Sequence, residues 1–567
     1  MIKKHAVLSL LQGCRSLRQL KQLHGFMVVA ALANDVIPMS KLVDFLSHPE
    51  MGDFSYAQSI LQHINFRTTY LYNSIIRGIS LSDEPEAALT MYRDMQRLGL
   101  SPDNFTFPFV LKAIDKIRHP TFGCCVHARV AKTGYEADVY VCTTLIHMYI
   151  SCGEIGSART LFEHAANRNV VTWTTMIAGY VESGRGSEAI NLFRDMEVAG
   201  MQPNEITVVH ALVACGQCRD LETGIWIHDR LLQWDIDPIG SNVVLATALL
   251  NMYAQCGSLK TARVLFDRMP QKNEVSWNAM IGVYNQFGQF DEVLRLFENM
   301  RTLEFKPDNV TWLSVLGASA NKGAMILGQG IHAYLEKTNG CRHITVSTSL
   351  MDMYSKTGDA QSALKIFHCM KGRDLLVWTS MIIGLAKHGH GREAVNLFKD
   401  MQHDGAAPDH ITFIGVLTAC SHAGMVEEGQ EYFNSMGNIY GIKPTMKHYG
   451  CMVDLFSRAG QLAEAERLVK SMPIQPSIMI WGSILTGCEI HGKVDIAERI
   501  GRQIIELNHQ CSGVFVLLSN IYAGAGRWQG VEQTRKLMWQ KGLKKVRGSS
   551  STECRIFHLH NFTAALT

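Results

Sequence analysis

The stretch VVTWTTMIAGYVESGRGSEAINLFRDMEVAGMQPN, residues 170–204, decides the fold of this chain. Apolar residues recur at helical spacing in both of its halves, first around Trp173 and again around Phe193. Gly184 lies between the halves, where a left-handed residue closes a helix, and Pro203 follows the second half, where its missing amide stops one. The stretch therefore predicts a hairpin of two helices.

The hairpin pattern repeats along the chain. Residues 69–103, 274–308 and 375–409 align with the first stretch without a gap, and all four stretches are 35 residues long. Longer units of 35 to 38 residues and shorter units of 31 residues lie between them, in the fixed order long, short, standard. A single hairpin leaves one apolar face uncovered, so neighbouring hairpins stack. The repeats predict an all-α solenoid with a continuous core and a concave surface.

Composition narrows the class of protein. The 567 residues exceed what one hydrophobic core holds, and 47% of them are apolar, which excludes general disorder. A formal net charge of +3 gives no strong overall field, so any attraction to RNA is local. The absence of a run of 18 apolar residues predicts no membrane partner, and 15 scattered cysteines fit a reducing compartment. The first 34 residues lack Asp and Glu, which fits either an organelle-targeting segment or a first repeat.

The order and lengths of the units resemble those of plant pentatricopeptide repeat proteins of the PLS subclass, in which P, L and S repeats alternate. The resemblance extends over nearly the whole chain and implies a right-handed α-α superhelix of helix-turn-helix repeats. It divides the chain into an N-terminal L-like repeat (1–35), an S repeat (36–68), a PLS array (69–409), the last L and S repeats (410–477), E motifs (478–547) and a degenerate C-terminal tail (548–567).

The end of the sequence differs from that of many such relatives. They continue after the E motifs into a DYW deaminase domain with H-x-E and C-x-x-C motifs, whereas this sequence reads KKVRGSSSTECRIFHLHNFTAALT. Cys554 stands alone, and His558 and His560 have no glutamate partner in position. We therefore expect a protein that is not an enzyme and has no catalytic residues, metal site or cofactor of its own.

The resemblance assigns the reading of RNA bases to position 5 and the final position of each P and S unit, with one base per repeat. The reading pairs are Asn73 with Asp103, Thr143 with Asn169, Thr174 with Asn204, Thr247 with Asn273, Asn278 with Asp308, Thr348 with Asp374, and Thr379 with Asp409. The residues expected to sandwich the bases, at position 2, are Tyr70, Tyr140, Val171, Val244, Val275 and Leu376, with Thr345 as the exception. The L units carry Pro108, Val209, Leu313 and Ile414 at position 5, which do not read a base by hydrogen bonding.

Some of these residues have alternative interpretations. Asp or Asn just before a helix is a good N-cap, so capping alone is another account of the final positions. Cys215 and Cys218 form a C-x-x-C motif, and residues 48–50 form an H-x-E motif; zinc deaminases carry both motifs. The two motifs lie in different repeats here, so ordinary packing is the favoured interpretation. A histidine recurs at one position of the L units, which indicates a structural role; the residues are His127, His228 and His332.

The function implied by the resemblance is the recognition of one single-stranded organellar RNA, in the mitochondrion or alternatively the chloroplast, and the marking of a cytidine for C-to-U editing. The expected partners are a DYW-type deaminase acting in trans through the E motifs and small organellar editing cofactors that bind the L repeats. In the family that the chain resembles, Asn with Asp favours U, Thr with Asn favours A, and Thr with Asp favours G. The resemblance therefore implies that the pairs spell U-n-A-A-n-A-U-n-G-G, where n faces an L unit. The alternatives are RNA stabilisation, processing or splicing without editing, and a tetratricopeptide-like protein-binding scaffold.

Overall fold

The computed structural model describes residues 2–14, 16–48, 53–234, 236–237, 242–338, 343–506 and 512–543. These residues form 32 α-helices and two short 3-10 helices, and none of them lies in a strand. None of the described helices has the length and hydrophobicity that a membrane span needs. The chain divides into two compact units, residues 1–283 and 284–567.

The first unit is a succession of helical hairpins. Its helices are α1 (Ile2–Gly13), α2 (Leu17–Val29), α3 (Val36–Leu46), α4 (Phe54–His63), α5 (Thr69–Leu81), α6 (Pro85–Arg97), α7 (Thr106–Ile117), α8 (Pro120–Thr133), α9 (Val139–Ser151), α10 (Ile155–His164), α11 (Val170–Glu182), α12 (Gly186–Val198), α13 (Glu205–Cys218), α14 (Leu221–Arg230), α15 (Val243–Gln255) and α16 (Leu259–Arg268). The 3-10 helices are Tyr135–Ala137 and Leu231–Trp234, and α17 (Glu274–Gln286) contains the boundary between the units.

The second unit continues the same pattern. Its helices are α18 (Phe290–Thr302), α19 (Asn309–Lys322), α20 (Met325–Lys337), α21 (Ile344–Thr357), α22 (Ala360–Cys369), α23 (Leu375–Lys387), α24 (Gly391–His403), α25 (His410–Ala423), α26 (Val426–Asn438), α27 (Met446–Arg458), α28 (Leu462–Ser471), α29 (Ile478–His491), α30 (Val494–Glu506), α31 (Ser512–Gly524) and α32 (Trp528–Gln540). The predicted all-α array of stacked hairpins is confirmed, and the handedness of the superhelix stays a prediction.

The first helices of successive hairpins form a layer within each unit. In the first unit α5, α7, α9, α11, α13 and α15 each pack against the next, and in the second unit α19, α21, α23, α25, α27, α29 and α31 do so. Each second helix packs on its own first helix, and several also contact the first helix of the next hairpin, as α12 contacts α13. Within each of these two series, the inner first helices therefore have a neighbouring first helix on both sides.

The turns inside the hairpins follow the prediction, whereas the ends of the second helices do not. Gly184 and Gly389 take left-handed φ values of 70° and 84° between paired helices. However, α12 ends at Val198, before Pro203 is reached. The stop comes from a left-handed residue two positions beyond the helix, with φ values of 75° at Gly99, 72° at Gly200, 63° at Glu304 and 76° at Gly405. A left-handed residue after the last turn satisfies its free carbonyls, so Pro102, Pro203, Pro307 and Pro408 follow the stop and do not cause it.

Junctions from L to S hairpins share a histidine–tyrosine hydrogen bond. The histidine Nδ1 lies 2.8 Å from the tyrosine hydroxyl in His127–Tyr149, 2.9 Å in His228–Tyr253 and 3.1 Å in His332–Tyr354. Four residues before each histidine, a glycine lets the helix approach a methionine: a Cβ on Gly224 would come within 2.3 Å of Met252 Sδ. The repeated histidines therefore link adjacent hairpins, as their recurrence predicts.

Junctions from S to P hairpins are aromatic. Trp173 packs edge-on against Phe162 with ring centroids 4.9 Å apart, and the guanidinium of Arg168 lies 4.9 Å from the Phe162 centroid. The same three-residue cluster recurs as Phe266, Lys272 and Trp277 and as Phe367, Arg373 and Trp378. The edge-on packing of the two rings and the cation above them stabilise each junction by more than the burial of apolar surface alone.

His448 is expected to make the second unit sensitive to acid. It is fully buried in α27; the Thr445 amide donates to its Nδ1 at 3.0 Å, so Nε2 carries the proton and donates to the His410 carbonyl at 2.7 Å. Burial lowers the pKa of His448 below its ordinary value. Because the unfolded chain binds the proton more tightly, this stabilisation is fully present above about pH 6.5 and decreases as the pH falls below that value.

Urea unfolding of wild type and His448→Thr at pH 7.5 and at pH 5.5 checks this expectation. Threonine occupies the equivalent place in α19 and α25, as Thr311 and Thr412, where it forms a capping box. The variant is therefore expected to keep the cap and to lose less free energy of unfolding than wild type on acidification. Equal losses in the two proteins would contradict the assignment.

Candidate nucleic-acid interface

At position 2 of the P and S units, six of the seven side chains are apolar and project into solvent. In the first unit the exposed fractions are 48% for Tyr70, 65% for Tyr140, 56% for Val171, 64% for Val244 and 62% for Val275. In the second unit Leu376 is 64% exposed, and Thr345 is also exposed. Apolar side chains at regular intervals that the fold leaves uncovered can lie against the faces of bases.

Sequence reasoning missed that the L units carry the same feature. Their second residues are exposed by 65% at Phe105 and 61% at Ile206 in the first unit, and by 54% at Val310 and 43% at Ile411 in the second. The sequence contained a signal, since these residues also occupy position 2. The apolar residue at position 5 indicated that the L units do not read a base, so their position 2 was not considered. Within each unit the apolar surface therefore continues through the L hairpins.

The final residue of every reading pair caps the next helix through its Oδ1 atom. Oδ1 accepts the backbone amide of the residue three positions further on at 2.8 to 3.0 Å, in the pairs Asp103–Thr106, Asn169–Thr172, Asn204–Thr207, Asn273–Ser276, Asp308–Thr311, Asp374–Val377 and Asp409–Thr412. The capping interpretation is therefore correct for all seven final positions. In the caps of Asp103, Asp374 and Asp409 the Oδ2 atom remains an acceptor, and in those of Asn169, Asn204 and Asn273 the Nδ2 atom remains a donor.

The position-5 side chains are more enclosed than a freely exposed reader would be. Exposed fractions are 9% at Thr174, 7% at Thr247 and 6% at Thr379, whereas Asn73, Thr143, Asn278 and Thr348 are half-buried. A threonine hydroxyl here donates to the carbonyl four residues earlier, at 2.7 Å, in Thr143, Thr174, Thr247 and Thr348. Since that bond uses the single hydroxyl hydrogen, the oxygen is left as an acceptor.

The structure joins the members of the pairs in different ways. Asn73 Nδ2 donates directly to Asp103 Oδ1 at 2.9 Å. Pairs linked through a third hydroxyl are Thr143 with Asn169, Thr174 with Asn204 and Thr379 with Asp409. Thr247 with Asn273 and Thr348 with Asp374 have no such link among the described contacts. Asn278 lies in the first compact unit, and Asp308 lies in the second.

A cavity of about 540 Å³ in the first unit surrounds one of these pairs. Thr143 and Asn169 line it together with the exposed Tyr140 and Val171, and Lys112 is part of the wall. The cavity thus combines a polar pair, two apolar walls and charges of both signs, since Asp115 also lines it. In the second unit a cavity of about 630 Å³ lies at the last L hairpin, where Ile411 and Ile414 take the equivalent places beside two lysines, Lys387 and Lys447.

The surroundings of Asp409 favour its ionised form. Burial alone would raise the pKa of Asp409, but the amide and hydroxyl of Thr412 outweigh it, so the pKa lies below its ordinary value. Asp409 is therefore a carboxylate at neutral pH and accepts hydrogen bonds without donating any.

The residues of the C-x-x-C and H-x-E motifs are not arranged as one site. Cys215 is fully buried in α13, where burial raises the pKa of its thiol to about 12, while Cys218 is exposed on the same helix. His48 is exposed and Glu50 lies outside the described residues, as do Cys554, His558 and His560. In the described part of the chain, no group of three or more His, Cys, Asp or Glu side chains is placed to hold a metal ion.

Comparison with known proteins identifies the repeats. Residues 67–114, 168–213, 272–321 and 373–422 match the PPR repeat family, residues 244–274, 345–375, 411–438 and 447–474 match the PPR repeat, and residues 491–553 match the E motif. A pentatricopeptide repeat-containing protein of Arabidopsis thaliana is 49% identical over 562 residues, which cover 98% of this chain and 100% of the relative. The chain belongs to the pentatricopeptide repeat proteins.

Further relatives and solved structures agree with this assignment. A chloroplastic pentatricopeptide repeat-containing protein of Arabidopsis thaliana is 38% identical, with 97% of this chain and 79% of the relative covered, and a mitochondrial one is 35% identical, with 96% and 85% covered. The crystal structure of the maize pentatricopeptide repeat protein PPR10 has a TM-score of 0.57 at 17% identity, covering 92% of this chain and 82% of that one. PPR10 has also been crystallised with an 18-nucleotide psaJ RNA element. The likeness to PPR10 establishes the shared fold.

Proposed function

We propose that the protein binds single-stranded RNA by sequence, with one base read at each P and S hairpin, and so selects one organellar transcript. The observation that carries this proposal is the use of Oδ1 in the caps formed by Asp103, Asn169, Asn204, Asn273, Asp374 and Asp409. Capping fixes the side chain and leaves its second terminal atom for a ligand. Capping and reading are therefore compatible roles of one residue.

The donors and acceptors left by the caps correspond to particular bases. The pair Thr174 and Asn204 leaves a hydroxyl acceptor and an amide donor, which match the amino group and N1 of adenine. Thr379 with Asp409 leaves a carboxylate acceptor and a hydroxyl oxygen, which match the N1–H and amino group of guanine. Asn73 with Asp103 leaves an amide N–H and a carboxylate oxygen, which match a carbonyl and the N3–H of uracil.

The expected RNA follows from these matches and the order of the pairs. Read from 5′ to 3′, it is U-n-A-A-n-A-U-n-G-G, with n opposite each L hairpin. The exposed apolar residues at position 2 support base sandwiching, because a base can lie against Tyr140 and Val171 in the cavity that also holds Thr143 and Asn169. The L hairpins offer apolar walls without a polar reader, so the bases opposite them are held but not distinguished.

A role in C-to-U editing with a deaminase acting in trans is the finer part of the proposal. The E motif match ends beyond α32, and that helix carries two exposed tryptophans, Trp528 at 68% and Trp539 at 86%. Together with Val531 and Arg535 they line a cavity of about 750 Å³. An exposed apolar face of this kind is typical of a protein-binding surface and suits a DYW-type partner. Small editing cofactors on the L repeats and a mitochondrial location, with the chloroplast as the alternative, complete the proposal.

Selection of ligands for the purified full chain from a random RNA pool tests the proposal. We expect enrichment of the core A-A-n-A-U-n-G-G. The selected RNA, extended by a downstream cytidine, should then be edited when a DYW-type partner is added and not by the chain alone. A pool that shows no enriched sequence would refute base reading and favour the scaffold alternative, whereas enrichment without editing would favour RNA stabilisation or processing.

A further inference from the structure

A buried hydroxyl lies between the two members of several reading pairs. Thr172, the third residue of α11, is 1% exposed. Its Oγ1 lies 2.9 Å from the hydroxyl of Thr143, which precedes it by one hairpin, and 3.0 Å from Oδ1 of the capping residue Asn169. A single hydroxyl therefore contacts both reading residues from beneath, on the side away from solvent.

The same bridge recurs at three other pairs. Thr106 Oγ1 lies 2.7 Å from Asn73 Oδ1 and 2.8 Å from Asp103 Oδ1. Thr207 and Thr412 repeat it; their distances are 2.6 Å to Thr174 and 2.8 Å to Asn204, and 2.7 Å to Thr379 and 2.8 Å to Asp409. Thr106, Thr207 and Thr412 are fully buried. The recurrence at four junctions shows a built feature of the hairpins.

Hydrogen counting shows how the bridge holds the reader at position 5. Thr174 donates its only hydroxyl hydrogen to the Val170 carbonyl at 2.7 Å, and the single hydroxyl hydrogen of Thr207 lies between two acceptors, the Thr174 oxygen at 2.6 Å and Asn204 Oδ1 at 2.8 Å. The Thr174 oxygen is thus held by the bond that it donates and by its contact with Thr207, and it keeps lone-pair capacity to accept a hydrogen bond from a ligand. The bridge fixes this oxygen relative to the outer atom of Asn204, which is what recognition of two adjacent base atoms requires.

Two pairs lack the bridge, and one of them, Thr348 with Asp374, keeps the cap. Val377 stands in the third position after the pair Thr348 and Asp374, and its amide caps Asp374 at 2.9 Å. Thr348 donates to the Ile344 carbonyl at 2.7 Å. The pair Thr379 and Asp409 has the same two residue types and the bridging Thr412, so the chain itself contains a matched comparison.

We propose that the threonine hydroxyl at the third position of the following helix is a positioning group that sets how sharply each pair discriminates between bases. The proposal rests on the proposed RNA-reading function. Because both reading side chains are fixed before RNA binds, binding costs less side-chain conformational entropy. The resulting gain in affinity applies only to the base whose hydrogen bonds need that geometry. Bridged pairs are strong readers, and the unbridged Thr348 and Asp374 form a weak one.

Binding of the full chain to four RNAs tests this: the U-n-A-A-n-A-U-n-G-G sequence, the same RNA with adenine at either guanine, and the RNA with adenine at both. We expect the preference for guanine over adenine to be about fivefold greater at the last base, opposite Thr379 and Asp409, than at the base before it, as for one hydrogen bond. Thr412→Val should remove that difference, Thr412→Ser should restore it, and Val377→Thr should raise the preference at the other guanine. Thermal unfolding of each variant provides the structural control.

The outcomes separate the inference from the function on which it rests. Loss of affinity for all four RNAs by the same factor, or a Thr412→Ser variant no better than Thr412→Val, would assign Thr412 a purely structural role and overturn the inference. Equal and strong guanine preference at both bases in wild type would overturn it while leaving base reading intact. If neither base affects binding while RNA is still bound, base reading by these pairs fails, and the inference fails with it.

Discussion

An Asn204→Asp variant is expected to bind guanine at the fourth base of the RNA, where the wild-type chain binds adenine, without losing stability. Oδ1 would keep the cap from the Thr207 amide, 2.9 Å away in the wild type, while the outward Nδ2 donor becomes an Oδ2 acceptor. Adenine presents an acceptor at N1 and guanine presents a donor there, so one favourable contact is exchanged for an unfavourable one. Asn and Asp are about equally good N-caps, so the fold is expected to tolerate the change.

The expected change in base preference is large because the variant loses a favourable contact with adenine and gains one with guanine. By analogy with base-edge contacts, each good contact is worth about 1 to 3 kcal/mol, so the preference between the two RNAs should reverse by roughly a hundredfold or more. Titration of wild type and variant with two RNAs that differ only at the fourth base measures it. The third base, read by Thr143 and Asn169, serves as the internal control, and its adenine preference should not change. An unchanged preference at the fourth base would show that Asn204 acts only as a cap.

The hairpins and their order could be predicted from the sequence because each is defined by local signals. Apolar spacing and the glycine at position 15, such as Gly184, specify two helices and a turn without reference to the rest of the chain. The end of the second helix was attributed wrongly to Pro203, since a proline is the more familiar stop. Gly200 achieves it earlier through its left-handed backbone, and Glu304 does the same with a residue type that gives no signal of it.

The candidate site could be predicted in outline but not at the level of atoms. Sequence position shows that Asp409 follows Pro408 and precedes a helix, which suggested capping and reading as competing interpretations. The structure shows that the cap of Asp409 uses Oδ1, so that capping does not exclude reading. The bridging Thr412 was hidden for a similar reason, because a threonine at the third helical position is unremarkable until its distances to Thr379 and Asp409 are known.

Replacement of Trp378 by alanine is expected to destabilise the second unit more than any change at the surface. Trp378 is 2% exposed and packs edge-on against Phe367 with centroids 4.9 Å apart, under the guanidinium of Arg373. Removing a buried aromatic leaves a cavity and costs about 3 to 5 kcal/mol. Because each hairpin of a repeat protein is stabilised mainly by its neighbours, the loss should weaken the whole junction between α22 and α23. Urea unfolding, followed by circular dichroism, measures this change.

Leu376→Ala is the matched control, two residues earlier in α23 and 64% exposed. A surface substitution there should change the free energy of unfolding by no more than about 0.5 kcal/mol. It should nevertheless weaken RNA binding by about fivefold, as expected for the loss of roughly 1 kcal/mol of apolar contact with a base. A Leu376→Ala variant with wild-type affinity would remove the sandwiching role from position 2. The opposite responses of two neighbouring residues would separate the face that holds the array together from the face that meets the RNA, because α23 presents one to its neighbours and the other to solvent.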